Sequence, residues 1–465
     1  MRILFVAFAT LSIFANSAPV EDRLAALEAA VRQLQQQVTA KDGKINSLTE
    51  QLAHYQEEEQ EDHAHCEHAA HGVAEENHDY HAGHGEEQVT VSGVLNVAVG
   101  GGDEAQSVME KLQAGAHDPR KRGFNLQQFE LAVNGKVGPF EAQSYVIFRE
   151  DGVELEEAFV TTEVGDLDLK LGYFFTEFGR INPGHLETWD FLDQPVVNSR
   201  LFGGEGTRGS GLRLGWHGFS LTAQNSDDQA LSFRGEPGGH AHGEEEEKEE
   251  FPAGFGEEGI GGRSFHDSEV GSMDDLMYTL RWGSQLPVGK LGISTMWGRN
   301  GHASDTATWI YGLDYRVAAD NGRWSWQTEI MKREYHTNAV ALFDDLGTPD
   351  PSDDINIDLP AETLEDWGIY TQFLYNMTDA WGLGVRYDYA SGTVDSAEGG
   401  QLFDRNLDPA RGDRSRISPL LTYRPTQRTR LRLQYNLDDA DFLPDGRAHG
   451  IWLGFEVTFG DHPDH

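Results

Sequence analysis

The side chains with the most chemical potential fall in two tracts. Between His54 and Glu87 stand His54, His63, His65, His68, His71, His78, His81 and His84, eight of the chain's 19 histidines. They share this stretch with the single cysteine, Cys66, and with many carboxylates. Imidazole, thiolate and carboxylate are the ligands that suit zinc, copper and nickel. His63-x-His65 fits an extended chain, whereas His68 and His71 would share one face of a helix. No fixed four-ligand spacing marks a closed structural site, so the expectation is an open metal-collecting segment. The alternative is a solvated polar linker with incidental histidines. A second tract, His240-Ala241-His242 followed by Glu244 to Glu247, repeats the combination. It is either a second capture site or an acidic surface loop.

A third candidate lies in Thr176–Ser210. Its polar residues include Glu177, Arg180, His185, Glu187, Asp190 and Asp193. His185-x-Glu187 with Asp190 and Asp193 has the donor types of a divalent-cation site. The same stretch carries Phe178, Trp189, Phe191, Leu192, Val196, Val197, Leu201 and Phe202. That much apolar surface predicts a loop folded into a pore as a constriction.

These side chains need a frame, and from Gln88 onward the dominant pattern is period two. Trp309, Tyr311, Leu313 and Tyr315 alternate with Asp314 and Arg316; Leu431, Leu433, Tyr435 and Leu437 alternate with Arg430, Arg432 and Gln434. Such strands are apolar on one face and polar on the other, and about 16 of them can be traced to Gly460. Their connections alternate between long and short, and Trp or Tyr recurs near segment ends. This is the pattern of a transmembrane antiparallel β-barrel with tight periplasmic turns and long outer loops. A soluble β-sandwich would have to pack far more charge inside than an interior tolerates. On the inward registers Arg386, Arg414, Arg416, Arg428, Arg430 and Arg432 fall on neighbouring strands and predict a basic wall. Glu130 and Asp314, with Glu329, fall elsewhere around the ring, so these charges are expected either to filter solutes by charge or to pair with one another as lumenal salt bridges.

Before the barrel, Met1–Ala18 reads as a secretory signal peptide: Arg2, an apolar run over Ile3–Phe14, then Ala15-Asn16-Ser17. Over residues 19–56, Leu24, Leu27, Val31, Leu34, Val38, Lys41, Ile45, Leu48, Leu52 and Tyr55 keep a 3,4 spacing. Only Lys41 breaks the apolar seam, so this segment predicts an α-helical coiled coil that promotes oligomers. Residues 57–87 are the flexible His/Glu-rich segment, and 88–465 the barrel. The fold class is therefore all-β, with an N-terminal coiled coil.

The composition excludes other classes. With 78 Asp+Glu against 36 Lys+Arg, the formal net charge is −42. A polyanion cannot bind nucleic acid through counterion release, and one cysteine cannot build a disulfide scaffold. No Gly-x-Ser-x-Gly, P-loop or His-Glu-x-x-His occurs, so no enzyme is expected.

Three stretches carry a resemblance: Gly123-Phe124-Asn125-Leu126-Gln127-Gln128-Phe129-Glu130-Leu131, Gly152-Val153-Glu154-Leu155-Glu156-Glu157-Ala158-Phe159, and Gly172-Tyr173-Phe174-Phe175-Thr176-Glu177-Phe178-Gly179-Arg180. With them the chain, from about Leu24 onward, resembles bacterial outer-membrane porins of the phosphate-selective porin O/P type. Thr176–Gly204 also resembles zinc-associated outer-membrane proteins. The resemblance implies a 16-stranded trimeric barrel in the outer membrane, with the N-terminal segment in the periplasm. The phosphate porins carry a lysine and arginine ladder, whereas Val89–His465 holds 62 acids against 31 bases.

The expected function is a passive porin-like channel that favours divalent cations such as Zn²⁺ and requires no cofactor. The alternatives are an anion porin using the arginine wall, and a non-conducting metal-binding or envelope-tethering barrel. Zinc titrated into the peptide His54–Glu87 checks the first tract. Binding should exceed that of a histidine-free scramble, and equal affinities would remove the role.

Overall fold

The computed structural model describes residues 88–225, 259–260, 263–264, 273–300, 306–319, 321–344, 355–392 and 411–460. The signal peptide, the coiled coil, the histidine tract and His240/His242 lie outside the described residues.

Sixteen antiparallel strands form a closed barrel. They are β1 (Gln88–Gly102), β2 (Gly123–Val137), β3 (Phe140–Phe148), β4 (Val153–Val164), β5 (Leu167–Phe175), β6 (Arg208–Trp216), β7 (Phe219–Gln224) and β8 (Met277–Gln285). The ring continues with β9 (Lys290–Arg299), β10 (Ala307–Ala318), β11 (Trp324–Thr337), β12 (Glu362–Asn376), β13 (Trp381–Gly392), β14 (Arg414–Thr426), β15 (Thr429–Ala440) and β16 (Arg447–Phe459). β1 closes on β16 over the register Gly93↔Phe459 to Gly102↔Gly450. Closure leaves no sheet edge, which a strand in hydrocarbon requires because no water is there to satisfy a free N–H or C=O. Two small hairpins, Gly259–Ile260 with Arg263–Ser264 and Val340–Asp344 with Ile355–Leu359, lie outside the barrel sheet.

The alternation in the sequence becomes the two faces of the wall. On β10, Trp309, Tyr311 and Leu313 are exposed outward while Asp314 is buried inward. Outward aromatics gather in two bands. Near the long-connection end, Trp297 packs on Tyr278 and Trp309, and Trp367 on Tyr389. Near the short-turn end, Trp381 stacks on Tyr423, Trp324 on Phe373, and Tyr315 meets Trp326. Ring systems with one apolar and one wet side settle at such boundaries.

Turns follow strands with even numbers. His217 (φ 47°) and Gly218 (φ 83°) join β6 to β7 in a two-residue turn, whose left-handed backbone matches the twist of the flanking strands. The turn between β3 and β4, residues 149–152, is short as well, although it falls on the side of the long connections.

Two of the apolar clusters among the described residues involve connections folded inside the ring. One joins Phe178, Ile181, Leu186, Trp189, Val197, Leu201 and Phe202 of the connection between β5 and β6 to Met277, Met296, Ile310, Met331 and Tyr370 of the wall. The second joins Met109 and Leu112 of helix α1 (Gln106–Leu112) to Leu192, Ala440, Leu443, Ala448 and Trp452. Apolar inward positions on β8 to β12 are thus covered by a loop rather than by water.

Leu313 sits between the two aromatic bands, opposite Ile330. Leu313→Arg should destabilise the barrel by about 2–4 kcal/mol, the cost of a cation on the lipid face near mid-membrane. Urea unfolding in lipid vesicles measures it, with Val164→Arg at a strand end as the milder comparison.

Candidate functional site

The loop between β5 and β6, residues 176–207, crosses the lumen and is tied to strands on both sides. Its start is fixed by Asn182, whose Nδ2 donates to the carbonyls of Thr176 and Thr207 (2.8 and 2.9 Å). Its end forms helix α2 (Val196–Phe202), entered from Pro195 and stopped at Gly203, whose φ of 84° suits glycine.

On one side the loop meets the arginines. Asp193, fully buried, accepts from Arg386 Nη2 (2.6 Å), Arg416 Nη1 (2.8 Å), Gln434 Nε2 (2.8 Å) and Asn436 Nδ2 (2.7 Å). Burial alone would raise its carboxyl, but Arg386 and Arg416 outweigh burial and hold it below the ordinary carboxylate range. Arg386 also binds Asp388, and Arg416 and Arg414 both bind Asp438. Arg430 and Arg432 bind Glu456 (2.5 and 3.1 Å), and they donate to loop carbonyls of Glu187 and of Trp189 and Phe191. Arg386, Arg416, Arg430 and Arg432 therefore stand on the inner wall as one cluster, each ion-paired. Arg428 differs from the expectation: it lies in the turn before β15, exposed. The strand begins one residue later, at Thr429.

On the other side the loop places His185 among carboxylates. His185 Nδ1 lies 3.1 Å from Glu130 Oε2 and 3.1 Å from Glu156 Oε2, and Nε2 lies 2.7 Å from Glu157 Oε2. Tyr145 and Phe175 pack edge-on against the imidazole. Burial would push this loop histidine down; Glu156, with Glu130 and Glu157, outweighs burial and holds it well above its ordinary value. His117, from the connection between β1 and β2, lies 3.4 Å from Glu156 and 3.6 Å from Glu205.

The other loop residues disperse. Glu177 pairs with Arg213 (3.0 Å), Arg180 with Asp314 (3.5 Å), and Asp190 accepts from Gln372 (2.9 Å). Asp314 also takes Arg281 at 2.7 Å. His185, Glu187, Asp190 and Asp193 do not converge on one point as their spacing suggested. The loop is extended between its short helical turns, so these residues meet different strands of the wall.

Sequence reasoning missed Glu156 and Glu157 as partners of His185, and His117 as a further partner of Glu156. A signal for the first two exists. Two adjacent glutamates in a strand of period two would send one into lipid. The structure resolves this with a β-bulge: Tyr145 pairs with Glu157 and Val146 with Leu155, leaving Glu156 extra. Both carboxylates then face inward, and Phe159 is turned inward after them. Phe175, the outward end of an alternating run by sequence, is likewise buried, against His185.

Removing the Asp193 carboxylate leaves Arg386 and Arg416 short of a partner. Asp193→Ala should destabilise the barrel by about 3–5 kcal/mol, as breaking a buried pair does, read as a fall in the temperature at which heat-modifiable gel mobility is lost. Arg430→Ala, on a partly exposed pair, should cost less.

No family model matches the chain. It is 25% identical over 415 residues to an uncharacterized protein of Aquifex aeolicus (strain VF5), covering 81% of this chain and 79% of that one. Among solved structures it is similar to the outer membrane channel DcaP of Acinetobacter baumannii, with a TM-score of 0.51, 11% identity, and coverage of 80% of this chain and 97% of that one. An anion-selective porin from Comamonas acidovorans aligns over 80% of this chain and all of its own, at 9% identity and a TM-score of 0.49. The barrel described above thus has the fold of the outer-membrane porins.

Proposed function

We propose that the protein is a porin-like channel of the bacterial outer membrane, passing small solutes by diffusion and favouring divalent metal cations such as zinc. The observation that carries this reading is the unequal state of the two lumenal sides. Arg386, Arg414, Arg416, Arg430 and Arg432 of β13, β14 and β15 are spent on Asp193, Asp388, Asp438 or Glu456, while Arg424 of β14 is not among these pairs. Across the ring, Glu130, Glu156 and Glu157 crowd His185, with His117 beside Glu156 and Lys170 beside Glu157. An anion filter needs cationic groups with unspent charge; a cation path needs the reverse. The acidic excess of the chain adds a field that attracts cations.

In this reading the two histidine tracts collect metal on either side of the membrane. The coiled coil and the barrel hold a homo-oligomer, a trimer in keeping with the resemblance, and the N-terminal segment lies in the periplasm.

Planar-bilayer recordings under a salt gradient test the channel. Reversal potentials should show cations preferred, with conductance in zinc or calcium salts. Anion preference would overturn the selectivity and favour the arginine wall as the filter. No conductance at all would leave a barrel that binds or tethers, and would overturn the channel itself.

A further inference from the structure

The cluster around His185 has the geometry of a metal site, and it stands apart from the histidine tracts. Donor oxygens of Glu130 and Glu156 and a ring nitrogen of His185 all lie within 4.8 Å of one another. Both carboxylate oxygens stand 3.1 Å from Nδ1. Ligands held about 2.0–2.1 Å from a tetrahedral zinc ion are about 3.3 Å apart, so the spacing already approximates a coordination edge. One Nδ1–H has a single hydrogen and cannot serve two carboxylates equally. Two buried carboxylates facing each other also repel, and a divalent cation removes that cost.

The imidazole is held from behind as well. Nε2 lies 2.7 Å from Glu157 Oε2, while the other Glu157 oxygen accepts from the backbone N–H of Phe175 at 2.8 Å. A histidine that donates Nε2–H to a fixed carboxylate presents the Nδ1 lone pair forward, the arrangement common behind metal-bound histidines.

A separate observation adjoins this cluster, sharing Glu156 and His185 with it but not Glu130. A cavity of about 10 Å³, room for a single water or ion, is lined by His117, Glu156, His185, Gln194 and Glu205. Gln194 is 5% exposed, and its side-chain oxygen has no hydrogen-bond partner there. The same holds for Nδ1 of His117, which is also 5% exposed. Buried polar atoms of this kind call for a ligand, because leaving them unpaired is costly.

We propose that Glu130, Glu156 and His185 bind a first-row divalent cation of the zinc class inside the barrel. Glu157 acts as a positioning residue for the imidazole. The ligands come from β2, from the bulge of β4 and from the lumenal loop, so a bound ion staples the loop to the wall. The site rests on its own geometry and holds whether the pore prefers cations or anions.

Cobalt(II) is the probe, titrated into the full-length protein in detergent. The background variant has the histidines of 54–84 and of 240–242 changed to Asn and Cys66 to Ser. This background should bind one equivalent and show the visible absorption of four- or five-coordinate cobalt. Glu156→Gln and Glu130→Gln should each weaken binding at least ten-fold and remove that absorption. Glu157→Gln should weaken it about 10–100-fold while keeping the band. Heat-modifiable gel mobility confirms that each variant is folded, and two ligand variants guard against one failing. No band in the background, or unchanged affinity in the folded Glu→Gln variants, overturns the site. Neither outcome bears on reversal potentials, so it fails separately from the channel reading.

Discussion

A strand that crosses hydrocarbon must pair every backbone N–H and C=O with another strand, and the rest of this molecule follows from that demand. It forces the ring of sixteen strands to close, β1 on β16. Closure creates an inner face, and alternation then delivers every second side chain to it. Where two consecutive residues must both face inward, as Glu156 and Glu157 do, the ladder has to absorb an extra residue as a bulge. The most chemically loaded corner of the barrel is therefore also a place where regular pairing gives way.

The inner face is too wide for wall side chains to fill, so the loop between β5 and β6 fills it. Its apolar half packs on Met277, Met296, Ile310, Met331 and Tyr370, as an ordinary core would. Its polar half is held by ions of opposite sign on opposite sides. Asp193 brings a negative charge to arginines, and His185 brings a ring that accepts positive charge to glutamates. The loop is thus charge-complementary to both walls, which defines its orientation across the lumen. Because the arginines pair with acids of the wall and of the loop, their number says little about the potential a solute would meet.

Much of this was legible beforehand. Leu431, Leu433 and Tyr435 alternate with Arg432 and Gln434, and the structure keeps that order, because a period of two has one physical realisation in a wall with lipid on one side. The apolar content of residues 178–202 likewise pointed inward, since no water-exposed loop retains so many large side chains. Partnerships inside the lumen were not legible. His185 and Glu187 are two apart and looked like co-ligands, yet His185 reaches β2 and β4 while the Glu187 carbonyl is held by Arg430 of β15.

Sequence by itself determined the local quantities: the strand pattern, the face each residue takes where pairing is regular, most of the long connections, and where charge and histidine concentrate. Each depends on neighbours a few residues away and on the contrast between lipid and water. Tertiary structure alone decided what those charges do. Glu130 comes from β2, Glu156 and Glu157 from β4, and His117 and His185 from two different connections, and only the curvature of the closed ring and the paths of those connections bring them together. Asp193 and the arginines illustrate the same reason. A buried charge is defined by its partner, and the partner is chosen by geometry across the lumen rather than by spacing along the chain.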